Sequence, residues 1–271
     1  DTELVRRDYA RYYDEISRLD RFVGLVLDEL EAQNAVEDTV VIFLSDNGRP
    51  FPRDKTSLYD SGIRTPLIIR WPAKIKAASR CLQLVSTIDL ATTILALAGF
   101  PAGSTYMGKD ITSLLEGKDA QVRDVIFAEK NWHDYEDRSR AVRDRRFKYI
   151  MNHYADLPAT PPADAARSDT FREMQRLRAE GRLPAEQSTC FISPRPREEL
   201  YDLNTDPHEL TNLADLPSHR DTLLRMRAEY RQWRITTGEK NPRLRTPDEF
   251  DRDTGKPCLL YTSDAADELC S

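Results

Sequence analysis

Asp46 and Asn47 stand side by side where a run of apolar, β-branched residues stops, and Gly48 follows them. A carboxylate next to an amide offers hard oxygen atoms, the ligand type that calcium and magnesium select and zinc does not. The same three residues are also a common Asx turn by which a chain leaves a strand. Short motifs recur by chance, so their surroundings must decide between the two. The chain has 271 residues, with 46 Asp+Glu against 40 Lys+Arg. That acidic balance, without a clustered basic face, argues against nucleic-acid binding. No run approaches the roughly 18 consecutive apolar residues of a membrane span, and the charged first eight residues hold no apolar leader. Four cysteines, two of them (Cys258 and Cys270) in an atypical tail, are too few to imply a disulfide framework.

The elements that must hold this pair are legible on either side of it. Upstream, Tyr9, Tyr12, Tyr13, Ile16, Leu19, Phe22, Val23, Val26, Leu27 and Leu30 recur at three- and four-residue steps, which predicts one amphipathic helix from the start to about residue 34. A chain that opens inside such a stripe is expected to begin partway through a larger protein. Residues 39–45 are almost wholly apolar and β-branched, the pattern of a strand buried on both faces of a parallel sheet. A second apolar strand is expected over residues 66–71 and a helix over 87–98, capped by Ser86 or Thr87 and closed by Gly99 and Pro101. Beyond residue 103 the pattern changes to short strands near residues 125–128, 139–142, 146–150 and 199–203, the second and third forming an antiparallel hairpin. A Pro/Ala-rich excursion over 156–196, with a helix at 168–179, separates the third from the fourth, and a last helix covers about 218–233.

The stretch from Ser45 to Leu67 resembles the sulfatase family of the alkaline-phosphatase superfamily. "TVVIFLSDNG", a lysine a few residues on, "SLYDSGIRTPLIIRWPAKI" and "VSTIDLATTILALAG" follow in the order of the second half of a sulfatase core. Much later, "ELYDLNTDPHELTNLA" resembles the segment that closes the family's C-terminal subdomain. The spacer in "DNGRPFPRDKTSLYD" and the later "AEKNWHDYEDRSRAVRDRRFKYI" look most like the heparan N-sulfatase, or sulfamidase, branch.

The resemblance implies an α/β fold: a partial alkaline-phosphatase-like parallel-sheet core over 1–102, then a smaller α+β subdomain with an antiparallel sheet over 103–240. Residues 241–256 are expected as a polar linker or end. Residues 258–268 resemble translated sequencing-adapter DNA, so 257–271 are set apart as a non-native tail, the alternative being a natural terminus. The resemblance also implies that Asp46 and Asn47 are two ligands of a calcium ion and that Lys55 touches the sulfate and steadies the leaving-group oxygen. Sulfate ester cleavage builds negative charge, which a divalent cation and an ammonium stabilise. His133 and Asp134 would contact a sugar at the pocket mouth, against the plainer reading of a packed or surface histidine. Arg138, Arg140, Arg143, Arg145 and Arg146 could favour an anionic glycan, although for most of them a solvated face is the expectation.

The family's nucleophile is a formylglycine made from the cysteine of a Cys-x-Pro-x-Arg motif, and no such motif occurs in these 271 residues. Cys190, followed by Ser193-Pro194-Arg195, has the wrong spacing and falls after the metal pair, so it is rejected. The upstream aspartate ligands are absent as well. Two side chains fall short of the about six to eight oxygens calcium prefers, so the chain alone is expected to bind calcium weakly and hydrolyse nothing, and interior strands left with exposed apolar edges predict that it folds poorly. The leading expectation is a fragment of a calcium-dependent sulfatase acting on ester or N-sulfo groups of sulfated saccharides, carried by a secreted, periplasmic or lysosomal protein. The alternatives are a superfamily phosphodiesterase or phosphomonoesterase, which Asn47 in place of a histidine disfavours, and an inactive truncated paralogue.

Overall fold

The computed structural model describes residues 1–118 and 120–258. Of the tail set apart above, only Pro257 and Cys258 fall within them.

Helix α1 (Glu3–Ala32) is capped by Thr2, whose hydroxyl accepts from the Val5 amide. Its apolar stripe is only partly used. Tyr9 stacks on Phe51 with centroids 4.1 Å apart, and Tyr12 meets the same ring edge-on. Farther along, Tyr13, Ile16, Leu19, Phe22, Leu25 and Val26 are exposed, and no α1 residue is buried.

Strands β1 (Val41–Leu44) and β2 (Leu67–Arg70) pair with each other, from Val41 opposite Arg70 to Leu44 opposite Leu67. The pairing is antiparallel, whereas the apolar run suggested a parallel sheet covered on both faces. Among the described residues no third strand joins the pair, and Leu44 and Ile68 are exposed. A short helix α2 (Asp60–Ile63) lies between the two strands in sequence. Helix α3 (Ile88–Leu97) follows, then the single turn α4 (Thr112–Leu115). Thr87 makes no side-chain cap to α3; the Asp89 carboxylate accepts from the Ser86 amide instead, while also binding the Lys109 amide and the Arg123 guanidinium.

The second half is built around an antiparallel sheet of β3 (Ile126–Lys130), β4 (Ser139–Arg143), β5 (Phe147–Asn152) and β6 (Glu198–Asp202), in that order. Side chains alternate between its faces. Val142, Tyr149 and Leu200 point to one face and pack on Leu223, Met226 and Tyr230 of helix α7 (Arg220–Thr237), with Phe127 stacked on Trp233. Those α7 residues recur at helical spacing, and Gly238 closes the helix in the left-handed conformation that favours glycine (φ +65°). Ala141, Ile150 and Tyr201 point to the other face and pack on Leu58, Tyr59 and Ile63. The sheet therefore lies between α7 and the turn that precedes β2.

Within the 156–196 excursion sit α5 (Ala163–Ala166) and α6 (Asp169–Ala179), the latter capped by Ser168. Asp8 of α1 accepts from Thr170, and Arg11 pairs with Asp169, so α6 holds the start of α1. The polar stretch after Gly238 runs along residues 132–138: Trp132 donates to the Pro247 carbonyl, and Asp248 accepts from the Glu136 amide.

Candidate functional site

The turn that carries Asp46 and Asn47 is closed by backbone in close approach. The Ser45 hydroxyl donates to the Asn47 carbonyl, the Asn47 amide group to the Gly48 carbonyl, and the Gly48 amide to the Gly62 carbonyl at 3.0 Å. A Cβ on Gly48 would lie 2.2 Å from the Ser61 carbonyl oxygen, and one on Gly62 would lie 2.3 Å from that of Ser57. Only glycine fits at either place. Asp46 is exposed and, among the described residues, has no ion-pair partner. It opens onto a cleft of about 1600 Å³ whose walls include Arg64, Arg123, Phe127 and Trp233.

Lys55 sits farther round the same loop. Its amide donates to the Arg49 carbonyl. The loop is anchored by buried Phe51 under Tyr9 and by buried Asp54, which pairs with Arg49 at 2.9 Å. Burial pushes the Asp54 carboxyl up from its ordinary value despite that partner. Arg53 and Thr56, on either side of Asp54 and Lys55, both hold positive φ, at +70° and +63°. Left-handed non-glycine residues cost about 1 kcal/mol or more each and persist where the surroundings enforce them. Here Arg53 is held by the His208 and Glu209 carbonyls and lies 3.7 Å above the Tyr59 ring.

The loop aims the Lys55 ammonium at Asp164 of α5, 2.7 Å away. Asp134 accepts from the Ala163 amide at 2.6 Å, and His133 Nε2 lies 3.8 Å from the Asp134 carboxylate. Lys55, His133 and Asp134 thus gather around α5, although 78 or more positions separate the lysine from the pair in sequence. Asp46 opens to the cleft instead, and Lys55, His133 and Asp134 do not line it. Burial works against ionisation of Asp164, but the Lys55 hydrogen bond, the Ala165 amide and the nearby Lys55 and His133 charges hold its carboxyl below the ordinary range.

Asp46 and Asn47 supply the hard oxygens that calcium takes, but only two side chains. Among the described residues no group of three or more His, Cys, Asp or Glu is arranged to hold a metal ion. Cys190 is buried, and its thiol is pushed up to about 12, the opposite of an activated nucleophile.

The arginine series departs from a solvated face. Arg138 and Arg140 are buried on Glu239, and Arg143 pairs with Asp60; only Arg145 and Arg146 stay exposed. Their partners lie about a hundred positions away, where strand alternation gives no hint of them. Sequence reasoning also missed the junction between the two sheets. Lys148, with no exposed surface, forms ion pairs with Asp60 at 2.6 Å and Glu209 at 2.8 Å, and Glu209 also accepts from the Asp60 amide. Burial opposes ionisation of Asp60, yet Lys148 and Arg143 hold its carboxyl below the ordinary range. Tyr59 and Tyr201 both donate to Glu199. The "LYD" repeated at 58–60 and 200–202 was the available signal: both tyrosines sit on this one carboxylate.

Comparison with known proteins gives the same assignment. Residues 2–100 match the family model described as Sulfatase. An ulvan-active sulfatase of Formosa agariphila is 39% identical over 88% of this chain and 40% of its own length. The human N-sulphoglucosamine sulphohydrolase is 32% identical over 87% of this chain and 49% of its own. The chain therefore spans less than half the length of either relative. A solved 2-O GAG sulfatase superposes with a TM-score of 0.61 at 22% identity, over 82% of this chain and 41% of that one, which establishes the shared fold. Residues 2–100 thus carry the match to the Sulfatase family model, and most of the chain is similar to sulfatases in sequence and shares the fold of a solved one.

Proposed function

We propose that this chain is the back half of a calcium-dependent sulfatase that hydrolyses sulfate ester or N-sulfo groups of sulfated saccharides. The observation that carries the reading is the Lys55 ammonium on a strained turn nine residues after Asp46, paired with Asp164 of α5, the short helix whose Ala163 amide is also held by Asp134. The names of the two relatives, an ulvan-active sulfatase and an N-sulphoglucosamine sulphohydrolase, point to the same substrate class.

Asp46 and Asn47 would hold the calcium ion together with oxygen ligands from outside these residues; when bound, it supplies positive charge to a sulfate oxygen. Lys55 donates hydrogen bonds to the sulfate group and to the bridging atom as negative charge grows there. An ammonium fixed before the reaction stabilises that charge without reorganisation. His133 and Asp134, half-buried or exposed beside it, contact hydroxyls of the saccharide. The nucleophile, a formylglycine by the family resemblance, would come from residues outside these 271, and these residues alone would then be inactive. The whole enzyme follows a secretory, periplasmic or lysosomal route. Among the described residues no helix is long and apolar enough to cross a membrane.

The test is sulfate release by the full-length enzyme from N-sulfoglucosamine, a 6-O-sulfated glucosamine and ulvan oligosaccharides, with p-nitrophenyl phosphate as the contrast. Lys55→Ala should lower kcat about 100-fold or more, the scale of losing one preorganised donor. Phosphate release without sulfate release would overturn the reading.

A further inference from the structure

The residue that meets Lys55 comes from the 156–196 excursion, outside the span matched by the family model. We propose that Asp164 is a positioning residue for the sulfate-contacting ammonium: it fixes Lys55 Nζ in one place and leaves the remaining N–H groups for the substrate. The inference rests on the assignment of Lys55 to the sulfate group.

The backbone that carries Asp164 is held on both sides. Its helical neighbours Ala163, Ala165 and Ala166 are all buried, while its own side chain is about half exposed. Asp134 pins the Ala163 amide, and Arg167, one residue past α5, donates to the Gly255 carbonyl at 2.7 Å. One carboxylate oxygen of Asp164 accepts from the Ala165 amide at 2.8 Å, which leaves the other to receive Lys55. The acceptor is therefore set by backbone, and the lysine is the partner that must be ordered.

Lysine needs such a partner more than arginine would. Its ammonium is a point charge on a flexible four-carbon stem, with three donors and no intrinsic direction. Among the described residues Asp164 is the acceptor that Lys55 Nζ bonds. One N–H is used there and two stay free. The carboxylate offsets part of the positive charge, which weakens ground-state attraction for a sulfate. What remains is an ammonium already in place when charge develops on the leaving group.

Those opposing effects separate kcat from KM. In the full-length enzyme, Asp164→Asn keeps the side-chain volume and removes the charge. The expected result is a kcat lower by about 10- to 100-fold, the scale of misplacing a group by an ångström, with KM unchanged or lower. Asp164→Glu, which restores the charge, should recover part of the loss. In a Lys55→Ala background Asp164→Asn should change nothing further, since the two act as one unit. Acylation of Lys55 by an amine-reactive probe, followed by mass spectrometry, gives a readout independent of turnover. It should speed up several-fold in Asp164→Asn, whose melting temperature should match the parent.

If Lys55→Ala cripples turnover while Asp164→Asn leaves both kcat and acylation unchanged, the positioning role is wrong and the sulfatase reading stands. A fall in kcat that persists in full on top of Lys55→Ala would also overturn it. If Lys55→Ala leaves turnover intact, Lys55 does not touch the sulfate, and both the site assignment and this inference fail together.

Discussion

Residues 1–102 and residues 103–258 dispose of their apolar side chains in different ways. In the first, α1 exposes most of its stripe, and among the described residues β1 and β2 pair only with each other. In the second, a four-stranded sheet closes on α7 with Val142, Tyr149, Leu200 and Met226 at its centre. The second region can fix its own shape through burial, the dominant stabilising term in folding. The first is held by what reaches into it: Lys148, Arg143, Glu199 and Glu209 grip Tyr59 and Asp60, and α6 grips α1. The site lies on this seam. Lys55 belongs to the exposed region and takes its position from Asp164 of the other. A family motif concentrated in the first hundred residues thus depends on the next hundred and fifty for its geometry.

The seam itself is the place to break the comparison hardest. Lys148→Met leaves Asp60 and Glu209 as buried carboxylates without their shared cation. Removing one partner of a buried ionic set costs about 3–5 kcal/mol. The unfolding free energy of the chain should fall by about that amount, and a loss below about 1 kcal/mol would mean that the two regions are not coupled through this lysine.

A pair of single truncations measures the asymmetry directly. Leu200→Ala empties a site in the centre of the second core, which should cost about 2–5 kcal/mol. Phe22→Ala removes a larger side chain, but an exposed one, and should change stability by no more than about 0.5 kcal/mol. Equal losses would show that the α1 stripe is buried in the chain as it exists in solution.

The same asymmetry explains what the sequence could reveal. Where a region closes its own core, local pattern is enough. The β4–β5 hairpin, the helix at 168–179 and the last helix all follow from local pattern. Where cover comes from elsewhere, it is not. The apolar run at 39–45 reports apolar neighbours but not strand direction, and here the neighbour is β2, running antiparallel. The arginines at 138 and 140 are spaced as on one strand face and Arg143 falls on the other, yet they pair with Glu239 and Asp60, whose distance in sequence hides them. Asp46, Asn47 and Lys55 could be read from one contiguous block. Asp164 could not, because an aspartate in an Ala/Pro-rich stretch carries no signal until the fold brings it to 2.7 Å from a lysine.

A pH-dependent effect tests the second region alone. His153 is half-buried, with Nε2 2.7 Å from the Tyr230 hydroxyl, among Arg138, Arg140, Arg234 and Glu239. Burial, reinforced by the Arg138 charge, pushes its pKa down to about 4 from an ordinary 6.5. The folded form therefore stays neutral while the unfolded chain takes up a proton, and stability present above the unfolded pKa is lost as pH falls from about 6.5 towards 4. Below that window both forms are protonated and the loss levels off. Carboxylates such as Glu239 add their own acid sensitivity, so the informative quantity is a difference. His153→Gln keeps an acceptor for Tyr230 and cannot titrate. Its melting temperature should decline less steeply than that of the parent between pH 6.5 and 4 and run parallel to it at higher pH. Parallel curves throughout would mean that His153 charges equally in both states, and that this corner of the second region is as open to water as the free face of α1.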